Sequence, residues 1–146
     1  MTIERQGPGY EIKTRVGKLV EVWAHHLDTV TEVADFARAF QLALSQGPRR
    51  VVCADYRALE VVAPEVWRGW VKGMQEVNPQ LARSALILPR NNLPLRAQVG
   101  SALAEANHPE RRICLDAAEA KSWLWEHLDR VEQKRLLEFL AERRLA

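Results

Sequence analysis

Apolar and polar positions along the chain change period in an order that lays out the elements. From Tyr10 to Val16, the residues Tyr10, Ile12, Thr14 and Val16 alternate with charged neighbours, the two-residue period of a half-buried strand. Gly17-Lys18 has turn character, and Leu19 to Trp23 returns as a partner strand rich in β-branched and aromatic side chains. The spacing predicts an opening hairpin. Residues 1–9, which contain Gly7-Pro8-Gly9, read as a loose lead-in. Thr29 and Glu32 stand at capping-box spacing, and Val33, Phe36, Ala37, Phe40 and Leu44 then recur at helical intervals until Gly47-Pro48.

Val51 to Ala54 behaves differently: it is apolar without alternation, as expected of a central strand covered on both faces. Asp55, Tyr56 and Arg57 follow at its carboxyl end, where open α/β sheets place their functional loops. From Pro64, the residues Val66, Trp67, Trp70, Val71, Met74 and Val77 cover one side of a helix. Gly69 and Gly73 lie at the edge of that arc, and either close packing against another backbone or tolerated drift accounts for them.

Ser84 to Leu88 is a further short strand, stopped by Pro89. Asn92 or Leu93 then caps a helix with Pro94 in its first turn and a stripe of Leu95, Val99, Ala102, Leu103 and Ala106. After the break at Asn107-His108-Pro109, Arg112 to Leu115 forms the last strand. Asp116 and Glu119 open a final helix whose stripe is Ala117, Ala120, Leu124, Leu128 and Val131. The stripe lapses over Glu132-Gln133-Lys134-Arg135 and resumes at a shifted angle with Leu136, Leu137, Phe139 and Leu140. The order is ββαβαβαβα: a single α/β domain over residues 10–128, with a mixed sheet and packed helices, and an amphipathic helical extension over 129–146. A short free helix with such a stripe needs a surface, which its own domain, a second copy of the chain or another protein could supply; of these a homodimer through Leu136, Leu137, Phe139 and Leu140 is the favoured expectation.

Composition narrows the function classes. The 146 residues are 47% hydrophobic and 27% charged, as in ordinary globular domains. A net charge of +2, with basic residues in scattered pairs (Arg49-Arg50, Arg111-Arg112, Arg143-Arg144), argues against nucleic acid or an anionic membrane surface. No apolar run approaches the roughly 18–20 residues of a membrane span, and the N-terminus lacks the apolar core of a signal peptide. Cys53 and Cys114 fall in predicted strands without CxxC or metal-ligand spacing, and read as buried, reduced thiols of a cytoplasmic protein.

Three stretches together carry a family resemblance. They are Val51-Val52-Cys53-Ala54-Asp55-Tyr56-Arg57-Ala58-Leu59, Ser84-Ala85-Leu86-Ile87-Leu88-Pro89, and Ile113-Cys114-Leu115-Asp116-Ala117-Ala118-Glu119-Ala120-Lys121-Ser122-Trp123-Leu124. In order and spacing the chain resembles the STAS fold, shared by sulfate transporters and bacterial anti-sigma-factor antagonists, and in particular its SpoIIAA-like bacterial branch. The resemblance implies a regulatory module acting through protein–protein contacts. It also implies a phosphorylatable Ser or Thr after the Asp that follows the central strand. Here Asp55 is followed by Tyr56-Arg57-Ala58-Leu59, so the only hydroxyl at that place is the Tyr56 phenol, and the kinase switch is in doubt.

Two readings apply to the loops at the carboxyl ends of the strands. Asp55, Tyr56 and Arg57, with Arg90, Asn91 and Asn92 beside them, could form a polar rim for an anion or a partner's polar groups. Alternatively, Asp55 accepts loop hydrogen bonds and pairs with Arg57, while Arg90-Asn91-Asn92 does ordinary loop and capping work. His25 and His26, adjacent in a strand, point to opposite faces and do not make a metal site with Asp28. No catalytic constellation, cofactor motif or metal-ligand pattern occurs, so the expected function is a non-catalytic module with a protein partner. Five tryptophans leave a second expectation open: a carrier or sensor of a small apolar, lipid-like or anionic ligand in a groove between sheet and helices.

Overall fold

A computed structural model describes residues 4–7, 9–45 and 47–142. Its strands are β1 (Glu4–Gly7), β2 (Tyr10–Lys13), β3 (Leu19–Ala24), β4 (Arg50–Asp55), β5 (Leu81–Ile87) and β6 (Arg111–Cys114). The helices are α1 (Val30–Leu44), α2 (Pro64–Val77), α3 (Leu93–Ala106), α4 (Ala117–Leu124) and α5 (Arg130–Glu142). The strands form one mixed sheet in sequential order: β1, β2 and β3 are antiparallel, and β3 to β6 are parallel. Each of α1, α2 and α3 joins one parallel strand to the next in the same direction. Right-handed crossovers then place all three on one face. The helices after β6 cover the other.

Two cores result. The first joins β2, β3 and β4 residues such as Ile12, Val22 and Val52 to Phe36, Trp70 and Val99 of α1, α2 and α3. The second joins Leu19, Val51, Cys53, Ile87 and Cys114 to Leu124 of α4 and Leu136, Phe139 and Leu140 of α5. Every residue of β4 is buried, with Val52 and Ala54 in the first core and Val51 and Cys53 in the second. The unbroken apolar run is thus explained. Both thiols are free and buried.

Local chemistry fixes the helix starts. Thr29, Asn92 and Asp116 accept from the amides of Glu32, Leu95 and Glu119 at 3.1, 3.0 and 2.8 Å. Glu119 reaches back to the Leu115 amide at 2.7 Å. A Cβ on Gly69 would lie 3.2 Å from Val33 Cγ1, and one on Gly73 would lie 3.0 Å from Ala37 Cβ. The two glycines let α2 approach α1 closely.

Three expectations change. Residues 4–7 are not lead-in but strand β1, paired with β2 from Glu4↔Lys13 to Gly7↔Tyr10. Residues 1–3 and 8 lie outside the described residues. The order is therefore βββαβαβαβαα. The last predicted helix is two: α4 stops at Leu124, a 3₁₀ turn covers Trp125–His127, and α5 begins with a capping box of its own. In that box Asp129 accepts from the Glu132 amide at 2.8 Å and Glu132 from the Asp129 amide at 2.9 Å. Val131, expected in the buried stripe, is 66% exposed.

The third correction concerns self-association. Leu136, Phe139 and Leu140 are buried against the chain's own sheet, and only Leu137 faces outward. The charged residues before them dock the helix. Glu132, 2% exposed, accepts from the Lys18 amide and ammonium, both at 2.7 Å. Arg135 clamps buried Glu21 of β3 at 2.7 and 2.8 Å. The stripe shifts angle because α5 is a new helix crossing the second face, and its apolar side is already covered. Residues 143–146 of the expected extension, with the Arg143-Arg144 pair, lie outside the described residues.

Candidate functional site

Since β4 and β5 are parallel neighbours, their carboxyl ends place the Asp55 and Arg90 loops along one edge. The loops carry separate ion pairs there. Asp55 is 1% exposed, and Arg57 returns to it with Nε on Oδ1 at 2.9 Å and Nη2 on Oδ2 at 2.8 Å; the Arg57 amide adds a third bond at 3.2 Å. Its two-pronged bond to Asp55 raises the guanidinium's pKa further. Arg90, which is exposed, pairs with Asp116 beyond β6 at 2.7 Å. The Glu119 amide first, and Arg90 after it, hold the Asp116 carboxyl below its usual range. Asn92 is the cap of α3, and Asn91 is exposed. Five of the six expected rim residues, all but Tyr56, therefore share an edge, and their polar groups mostly serve loop closure and capping.

Tyr56 does not join the rim. It continues the β4 ladder, its amide donating to Ile87 O at 2.9 Å, and its side chain turns inward, 3% exposed, edge-on to Trp70 at 5.5 Å. Burial pushes the phenol well above its usual pKa, although Arg111 and a hydrogen bond with Trp70 act the other way. A buried neutral phenol is a poor phosphoacceptor. The loop onward from Tyr56 is held at two points. The Leu59 amide donates to Tyr56 O at 3.0 Å, and Gln98 of α3 brackets Val62, accepting from its amide at 3.1 Å and donating to its carbonyl at 2.8 Å.

The structure also assembles residues that sequence reasoning left apart. Between α1, α2 and the sheet lies a cavity of about 20 Å³, lined by Phe36, Tyr56, Trp70, Met74, Ser84 and Arg111 among others. Such a volume holds about one water molecule. Arg111 is 9% exposed, with Nη1 on Asn78 Oδ1 at 2.6 Å and Nη2 on Met74 O at 2.9 Å. Burial brings its pKa down to about 10. In sequence Arg111-Arg112 is one basic pair among several. The available signal is strand alternation, which sends one member of an adjacent charged pair inward; Arg112 is indeed exposed.

The histidines do not converge. His26 lies between Asp28 at 2.8 Å and Glu32 at 3.0 Å, while His25 stacks on Trp23 at 4.4 Å. No group of three or more His, Cys, Asp or Glu side chains among the described residues could hold a metal ion. No described helix is long and apolar enough to cross a membrane. No protein-family model, curated protein or solved structure matches this chain.

Proposed function

We propose that the chain is a non-catalytic regulatory module of the STAS, SpoIIAA-like type, which presents the carboxyl edge of its parallel strands to a protein partner. One observation carries this reading. Of the five large apolar side chains exposed among the described residues, three sit on that edge: Val30 at 55%, Val61 at 51% and Leu93 at 65%. Val30 and Leu93 open α1 and α3, and Val61 lies in the β4–α2 loop, so the three sit in the connections leaving three successive parallel strands. Apolar side chains gathered on one edge, with charged groups around them, suit the centre and rim of an interface. The Asp55–Arg57 and Gln98–Val62 bonds keep the middle loop rigid, which lowers the ordering cost of binding. With the Tyr56 phenol buried, the partner's access would not depend on phosphorylation at the position where the resembling family is switched.

The test is co-purification from the native host with the wild type and with a Val61→Asp, Leu93→Asp double variant. The variant should keep its unfolding free energy within about 0.5 kcal/mol, as exposed substitutions do, and lose the partner that the wild type retains. Retention of that partner at wild-type yield overturns the reading.

A further inference from the structure

We infer that Arg111 anchors a buried binding site for a linear carboxylate, whose apolar tail leaves between α1 and α2. This goes beyond the interaction reading and does not rest on it. The face of the sheet under α1–α3 carries Ile12, Val20, Val22, Val52, Ala54 and Leu86 in its core. Besides the Tyr10 phenol, which bonds Asp35 at 2.7 Å, a group of polar side chains gathers at one corner. Ser84 and Arg111 are register partners on β5 and β6, Val52 of β4 is in register with Ser84, and Tyr56 follows β4 on the same side. Together they line the cavity that Phe36, Trp70 and Met74 close.

Arg111 is set apart by its charge balance. Arg57 has Asp55, Arg135 has Glu21, and Arg50 has the charge of Glu132 near it. Among the described residues Arg111 has no carboxylate in salt-bridge range; it bonds only neutral oxygens of Met74 and Asn78 at the end of α2. The partial negative charge of a helix C-terminus, roughly half an elementary charge, offsets part of the cost of burying a cation. A carboxylate would supply the rest and could accept from the planar guanidinium fork in a paired geometry. The single cation also sets the ligand's charge, because a dianion would leave one charge buried and unpaired.

The tail has a way out. A groove of about 360 Å³ runs over the α1–α2 seam, lined by Val33, Ala34 and Val66 together with the charged Arg38, Glu65, Lys72 and Glu76. Groove and cavity share Ala37 and Gly73, which part them where the two helices touch. Met74 is an unbranched, adaptable side chain, and Phe40 is only half-buried. Their rotation would join the water-sized cavity to the groove. An aliphatic chain laid there exchanges water for the apolar part of those walls, Val33, Ala34 and Val66, while its head group meets Arg111, Ser84 and Tyr56.

The test uses the full chain and three probes of equal length: decanoate, decanol and decylammonium, titrated calorimetrically. The expected result is saturable one-to-one binding of decanoate, with decanol at least tenfold weaker and decylammonium weaker still. Equal affinities for decanoate and decanol would overturn the proposal, as would no saturable binding of decanoate. Arg111→Gln should weaken decanoate at least tenfold and leave decanol unchanged, and wild-type decanoate affinity in that variant would also refute it. Because Arg111 also ties down the end of α2, a second measurement needs no variant. In ¹⁵N-labelled wild-type protein the Arg111 side-chain resonances should shift with decanoate and not with decanol. No shift at decanoate saturation would place the ligand elsewhere.

Discussion

Replacing Arg135 tests most directly how the C-terminal helix is held. In Arg135→Met, the side chain keeps most of its volume and loses the guanidinium that bonds both oxygens of Glu21. Glu21 is 2% exposed and the Arg135 side chain 11%, so the pair is screened far less than a surface bridge. Exposed pairs contribute about 0–1 kcal/mol, whereas removing one partner of a buried pair costs roughly 3–5 kcal/mol because a charge remains buried alone. The contacts of Arg135 with Glu138 at 3.9 Å and Glu142 at 2.8 Å lie at the more exposed end and add little to that figure. A loss of about 3–4 kcal/mol is therefore expected, equivalent to roughly 10 °C in Tm for a domain of this size. Urea unfolding followed by circular dichroism gives the midpoint and slope. A double variant, Glu21→Leu with Arg135→Met, should recover most of the loss, because the buried carboxylate has gone with its partner. If Arg135→Met costs less than about 1 kcal/mol, the pair behaves as an exposed bridge and the docking argument fails.

Further expectations follow from the same contacts. Arg57→Ala should cost about 1–3 kcal/mol in chemical denaturation, since it strands the buried Asp55 carboxylate; a loss under about 0.5 kcal/mol would show the residue to be inert surface. Gly17→Ala should be destabilising by more than about 1 kcal/mol, because φ there is +56° and the new Cβ would collide with the Glu132 carboxylate. In contrast, Gly100→Ala, with nothing near the added methyl inside α3, should stabilise by roughly 0.5–1 kcal/mol, and equal thermal shifts for the two would contradict both assignments. Bulky thiol reagents at pH 8 should label neither cysteine in the folded protein, because burial raises both thiols, Cys114 to about 11; rapid labelling would refute the buried placement. The hydrogen bond to Glu32, with Asp28 nearby, raises the His26 pKa above 6.5, so its contribution to stability is present below pH 6.5 and fades as pH rises through the folded value. A proton NMR titration giving a pKa at or below 6.5 would contradict that geometry.

Much of this architecture was legible one residue type at a time. A four-residue apolar run without alternation demanded two covered faces, and Val51 to Ala54 has them, because consecutive strand side chains point in opposite directions. Thr29, Asn92 and Asp116 marked helix starts through hydrogen bonds spanning three residues, which the local sequence contains in full. Gly69 and Gly73 left two explanations open, and the approach of Val33 and Ala37 decides between them. Contacts between residues far apart in the chain were not legible. Glu4 to Gly7 has no strand signature of its own and becomes one by pairing with β2. Glu132 and Arg135 read as a charged spacer because their partners, Lys18 and Glu21, lie 114 positions away. Asp55 and Arg57 share a local pairing that the sequence allowed, but only the burial of Asp55 makes it structural. Arg111 gathers Ser84, Tyr56 and a cavity around it only once three strands and two helices are in place. Local periodicity and capping chemistry therefore specify the elements. Long-range pairing of buried charges, whose energy depends on what surrounds them, decides how the last helix docks and where the pocket forms.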